Sequence, residues 1–140
     1  MSEVEQVETA FNEVVKWLED QGYRLSGVPG GVNNLIGAAT FWIWDGAPYG
    51  CGGQSMMASQ WFRYNVAGSD TAAKFASWRV ETVTNYPKEA FTAFPFSGYH
   101  WVVKLTSPET GTAYLLDVHG RKFGLWSPEV AARFKYYYSP

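Results

Sequence analysis

The sequence predicts an α+β fold. Helical patterns come first along the chain, strand patterns come later, and 46% of its 140 residues are hydrophobic. Segregated helix and strand signals of this kind read as α+β rather than as alternating βαβ units. The length fits one domain spanning residues 1–140, large enough to bury a core without covalent staples.

Val4, Val7, Phe11, Val14, Val15 and Leu18 recur at helical spacing and predict an N-terminal helix with a solvated acidic face. Ser2 and Glu5 can form a capping box at its start, and Gly22 is a suitable stop. Residues 26–40, rich in Gly, Asn and Pro, read as loop. Phe41-Trp42-Ile43-Trp44 is a short strand or an aromatic wall. Residues 45–50 form a tight loop into a helix placed near 52–64. Ser69 caps a second helix running through Trp78, and Pro87 opens a short helical turn over 88–91.

The pattern then turns to β. His100-Trp101-Val102-Val103-Lys104-Leu105 and Thr112 to Val118 flank the turn signal Ser107-Pro108-Glu109-Thr110-Gly111 and predict an antiparallel hairpin. Residues 122–126 add a strand, and Ser127-Pro128 cap a final helix over 129–134. Tyr136-Tyr137-Tyr138 reads as a frayed or packed helix end.

Bulk properties exclude several functions. A net charge of −2 with no basic block gives no electrostatic footprint for nucleic acid or an anionic membrane. No apolar run approaches membrane-spanning length. One cysteine cannot close an internal disulfide, and with two histidines it makes a poor zinc set, so neither metal nor cofactor is expected. The acidic N-terminus lacks the basic-then-apolar pattern of a signal peptide, so the expected compartment is the cytoplasm; delivery by a specialised secretion machine would leave no mark here.

The chemistry-bearing pattern centres on Cys51. Gly50-Cys51-Gly52-Gly53-Gln54 delivers the lone thiol to the start of an apolar helix. Unpaired N–H groups and the positive end of the helix dipole favour the reactive thiolate there. His100 heads one hairpin strand and Asp117 nearly ends the next. A turn centred near residues 108–109 places them opposite each other. Nucleophile, base and a group that orients the base are the parts of a cysteine hydrolase or acyl transferase.

Tyr49-Gly50-Cys51-Gly52-Gly53-Gln54, Tyr99-His100-Trp101-Val102-Val103 and Leu115-Leu116-Asp117-Val118-His119-Gly120 together resemble the papain-like and transglutaminase-like cysteine enzymes. The resemblance covers roughly residues 41–120. It implies a papain-like core: a cysteine at a helix start, packed on a small antiparallel sheet that carries His and Asp. It implies Cys51 as nucleophile, His100 as general base and acid, and Asp117 as orienter. The reaction implied is peptide hydrolysis, glutamine deamidation or transglutamination on a protein or peptide substrate, through an acyl-thioenzyme. Among small members of this kind are bacterial effector or toxin domains, a role that implies an immunity or inhibitor protein as partner. Papain has a glutamine several residues before its cysteine. Trp44, Asp45 and Gly46 occupy those positions here, so backbone N–H groups are expected to serve the oxyanion. Gln54 could help only by folding back. Trp44, Tyr49, Gln54, Tyr99 and Trp101 flank the thiol or the histidine and are expected to line a substrate groove.

Competing readings exist for each part. Cys51 could be an inert core residue, Asp117 a turn former bonding toward Gly120, and His119 a rival base. The aromatic excess of 18% also suits a non-catalytic module for peptide or glycan, or a phage or injection-system component.

Overall fold

A computed structural model of the chain describes residues 1–23, 51–85 and 100–138. The expected loops at 26–40 and 45–50, the Phe41–Trp44 segment, the helical turn at 88–91, and Trp44, Tyr49 and Tyr99 lie outside them.

Helix α1 spans Glu3–Asp20. Its capping box is formed: Ser2 Oγ accepts from Glu5 N at 3.2 Å while the Glu5 carboxylate accepts from Ser2 N at 3.4 Å. Gly22, at φ +94°, ends it in a conformation that favours glycine. Of the predicted stripe, Val7, Phe11, Val14 and Leu18 are buried, joined by Ala10; Val15 is partly buried and Val4, in the first turn, is exposed. Helix α2 spans Cys51–Tyr64, so the cysteine is its first residue. It buries Ala58, Trp61 and Phe62.

Helix α3 spans only Asp70–Ala73, capped by Ser69 as expected, and does not reach Trp78. Lys74, Phe75 and Ala76 donate instead to carbonyls three residues back, tightening the chain. That tightening turns Phe75 inward, edge-on to Phe62 at 5.3 Å and Trp78 at 4.8 Å, and delivers the chain to a strand. This strand, β1 (Arg79–Thr84), is absent from the expected elements. Its Val, Thr, Val, Thr content is nonetheless a β signal.

Strands β2 (Trp101–Thr106), β3 (Ala113–Asp117) and β4 (Lys122–Leu125) follow as expected, then helix α4 (Pro128–Arg133), N-capped by Ser127. The three tyrosines are not a helix end. Tyr136–Tyr138 form β5, antiparallel to β1. β-prone aromatic residues meet the edge of β1 and extend the sheet there. The described strands make one antiparallel sheet in the order β4-β3-β2-β1-β5.

The fold is therefore α+β, with an N-terminal helix and a five-stranded antiparallel sheet. On one face, α1 and α2 pack over Val80, Val103, Leu105, Tyr114 and Leu116. On the other, Phe134, Trp126 and Val130 cover Val83, Val102 and Leu115. Each fully buried Val, Leu or Phe contributes about 1.5–3 kcal/mol. No helix among the described residues is long and apolar enough to cross a membrane.

Candidate active site

The β2–β3 hairpin determines where the histidine and aspartate stand. Its register pairs Val103 with Leu116 and Thr106 with Ala113. Continued to the strand ends, that register sets His100 opposite His119, two residues along from the expected pairing with Asp117. The physical reason lies at the turn, where Ser107 N donates to Thr112 O and Gly111 N to Ser107 O, closing a wider loop than a two-residue hairpin. A slip of two keeps each side chain on its face. His100 and Asp117 therefore meet diagonally: His100 Nε2 lies 2.8 Å from Asp117 Oδ2. Their side chains are only 19% and 12% exposed, so little water competes for the contact.

Both partners are held from behind. The His100 N–H donates to Asn85 Oδ1 at 2.9 Å, and its carbonyl accepts from Thr84 Oγ1 at 2.9 Å. The other carboxylate oxygen, Asp117 Oδ1, accepts from Gly120 N at 2.9 Å. The turn-forming and the histidine-orienting readings of Asp117 thus hold together, one on each oxygen. Burial pushes the Asp117 pKa up. The hydrogen bond and charge of His100, the Gly120 N–H and the charge of His119 outweigh it, and the carboxyl sits below its ordinary value. It is an anion that can stabilise an imidazolium. Because Asp117 takes the proton on Nε2, Nδ1 is the His100 nitrogen that accepts one.

Gly120 allows this approach. A Cβ there would stand 2.6 Å from Asp117 Oδ2, the oxygen bound to His100. The Asp-x-x-Gly spacing was the available signal for it.

His119 comes into the same region. Its ring centroid is 6.3 Å from that of His100, and its Nδ1 lies 2.6 Å from Gln54 Oε1. An amide oxygen only accepts, so Nδ1 carries the hydrogen. Burial first, then the charge of His100, push its pKa down to about 4, with Asp117 pulling weakly the other way. His119 is a neutral imidazole at pH 7. Gln54 is fully buried, so it supports this ring and does not line a groove. Trp101, at 4% exposure, is likewise part of the interior and not a groove wall.

The position of Cys51 follows from the packing of α2. Ser55 Oγ donates to Trp101 O at 3.0 Å, and Ser59 Oγ lies 2.7 Å from Thr82 Oγ1, opposite Val103 in the sheet. Four helical residues therefore span the same length as two strand residues, as rises of about 1.5 and 3.3 Å per residue require. One turn before Ser55 is position 51, the first residue of α2. Strand alternation puts His100 on the face with Val102, and its ring lies 6.0 Å from Phe134, away from the helix layer. The first turn of α2 nonetheless reaches this end of the sheet, through Gln54 to His119 and Ser55 to Trp101 O. Backbone N–H groups of a helix's first turn are oxyanion donors of the required type.

Comparison with protein-family models, curated proteins and solved structures finds no match to this chain.

Proposed function

We propose that this chain is a cysteine hydrolase or acyl transferase of papain-like or transglutaminase-like type, acting on a protein or peptide amide. The observation that carries the reading is the shielded His100–Asp117 hydrogen bond at 2.8 Å, in a chain whose lone cysteine is the first residue of helix α2. In this reading His100 Nδ1 takes the Cys51 proton, and the thiolate attacks the substrate carbonyl. Helix N–H groups hold the oxyanion. As the C–N bond breaks, His100 returns the proton to the leaving nitrogen. An acyl-thioenzyme remains. His100 then takes a proton from water or an acceptor amine, whose attack breaks the C–S bond and releases the thiolate. A peptide amine leaves in proteolysis, ammonia in glutamine deamidation.

The test is the rate of Cys51 alkylation by iodoacetamide as a function of pH on the folded chain. The thiol should titrate well below the free value of about 8.5. His100→Ala should move it back and slow labelling at pH 7 by about ten- to thirtyfold, the most that a return to about 8.5 permits. A wild-type thiol with an ordinary titration, or one that labels only after denaturation, removes the reading. Mass spectrometry of candidate proteins then separates chain cleavage, conversion of glutamine to glutamate and cross-linking.

A further inference from the structure

The catalytic reading leaves one buried polar contact without a role, the one between α2 and the end of β3. Gln54 has no exposed surface, and its Oε1 lies 2.6 Å from His119 Nδ1. Apolar side chains would fill that space without desolvating an amide and an imidazole. What a hydrogen bond adds is direction: apolar surfaces slide over each other, whereas a 2.6 Å contact fixes two atoms. The two residues are well placed to fix something. Gln54 is one helical turn after Cys51, and His119 stands between Asp117 and Gly120, the two residues whose contact sets the carboxylate. The adjacent Ser55 ties the same helical turn to Trp101 O, next to His100.

We infer that the Gln54–His119 hydrogen bond is the positioning device of this site, fixing the first turn of α2, and with it Cys51, relative to the His100–Asp117 pair. The inference rests on the catalytic reading above. His119 is then a positioning residue and not the base. Its Nδ1 proton is committed to Gln54, and it presents a neutral ring beside His100, where a second imidazolium would oppose the first. Around it, among the described residues, stand His100 at the head of β2 and Asp117 on β3. Arg121 follows two residues on and pairs with Glu19 of α1 at 3.4 Å.

Two pairs of variants in the full chain test it, read by the pH profile of Cys51 alkylation and by the ¹⁵N shifts of the His119 ring. Gln54→Leu removes the acceptor, and Gln54→Glu keeps one. His119→Asn keeps a donor near the place of Nδ1, and His119→Gln moves it away. The wild type should show the Nδ1–H tautomer. Gln54→Leu should lose it and raise the thiol titration by about one unit, which slows alkylation about tenfold at pH values below that titration. His119→Gln should do likewise, while Gln54→Glu and His119→Asn recover most of the rate. If Gln54→Leu does not fold, the histidine pair decides. Folded Gln54→Leu or His119→Gln with the wild-type profile overturns the inference and leaves the catalytic reading standing. Equal losses within a pair also overturn it, since packing alone would explain them. An ordinary thiol titration in the wild type removes both together, and is told apart because it needs no variant.

Discussion

The two ends of the β2–β3 hairpin both carry a carboxylate surrounded by donors, yet they differ in what surrounds those donors. At the turn end, Glu3 from α1 accepts from Ser107 Oγ at 2.7 Å, Thr110 Oγ1 at 2.9 Å and Tyr114 OH at 2.8 Å. Ser107 and Tyr114 in this cluster are buried, but Glu3 is half-buried and Thr110 exposed, and the cluster staples the start of α1 to the hairpin. At the open end, Asp117, His100, His119 and Gln54 form an equally connected cluster that is shielded from water. Polar contacts near water cost little to assemble and return little. Buried ones must first overcome desolvation, and they shift proton affinities in doing so. The difference separates a structural staple from a candidate site without reference to any relative.

The largest effect should come from His119. Its folded pKa of about 4 lies below the ordinary 6.5, so the unfolded chain binds a proton more readily than the folded one between these values. Stability is therefore fully present above pH 6.5 and falls as pH drops toward about 4. The loss should be about 3 kcal/mol in order of magnitude. His119→Asn, which cannot titrate, should flatten urea midpoints across this window. An unchanged fall in that variant would mean that the acid sensitivity of the open end lies in some other group.

Next comes Gly120→Ala. A methyl group 2.6 Å from Asp117 Oδ2 must push the carboxylate off His100 or move the turn. The expected loss is about 1–3 kcal/mol of stability, as for other overpacked sites, together with a Cys51 titration displaced toward that of His100→Ala. Wild-type stability and thiol reactivity would show that the turn yields without disturbing the pair, and that the close approach is incidental.

The sequence shows α1 with its cap, α2, the hairpin and the final helix, because periodicity, capping residues and turn residues are local signals. It also brings His100 and Asp117 onto one face, since alternation survives the two-residue slip in register. It does not show β1 or β5. Arg79–Thr84 follows directly on a run with good helix signals, and the helix ends early because Phe75 and Trp78 are drawn into the core. The tyrosines of β5 become a strand only because β1 offers an edge, which is a tertiary fact. The pairing of Gln54 with His119 was hidden for the same reason: a helix turn and a strand end 65 residues apart meet only once the layers pack.

The smallest effect should come at the turn end. Burial raises the Glu3 pKa, but hydrogen bonds from Ser107, Tyr114 and Thr110 outweigh it, and the carboxyl sits below its ordinary value of 4.5. On the other side of the contact, burial and the bond to Glu3 push the Tyr114 hydroxyl up to about 12, so it remains a donor throughout the neutral range. The staple contributes stability above pH 4.5 and loses it as Glu3 protonates below that value. Solvent screening limits its worth to about 1 kcal/mol or less. Glu3→Gln should therefore lower the melting midpoint slightly at neutral pH, converge with the wild type in acid, and leave the Cys51 alkylation profile untouched. A shifted profile would mean that the two ends communicate along the hairpin. The contrast between staple and site would then be one of degree, set by distance along two strands rather than by burial.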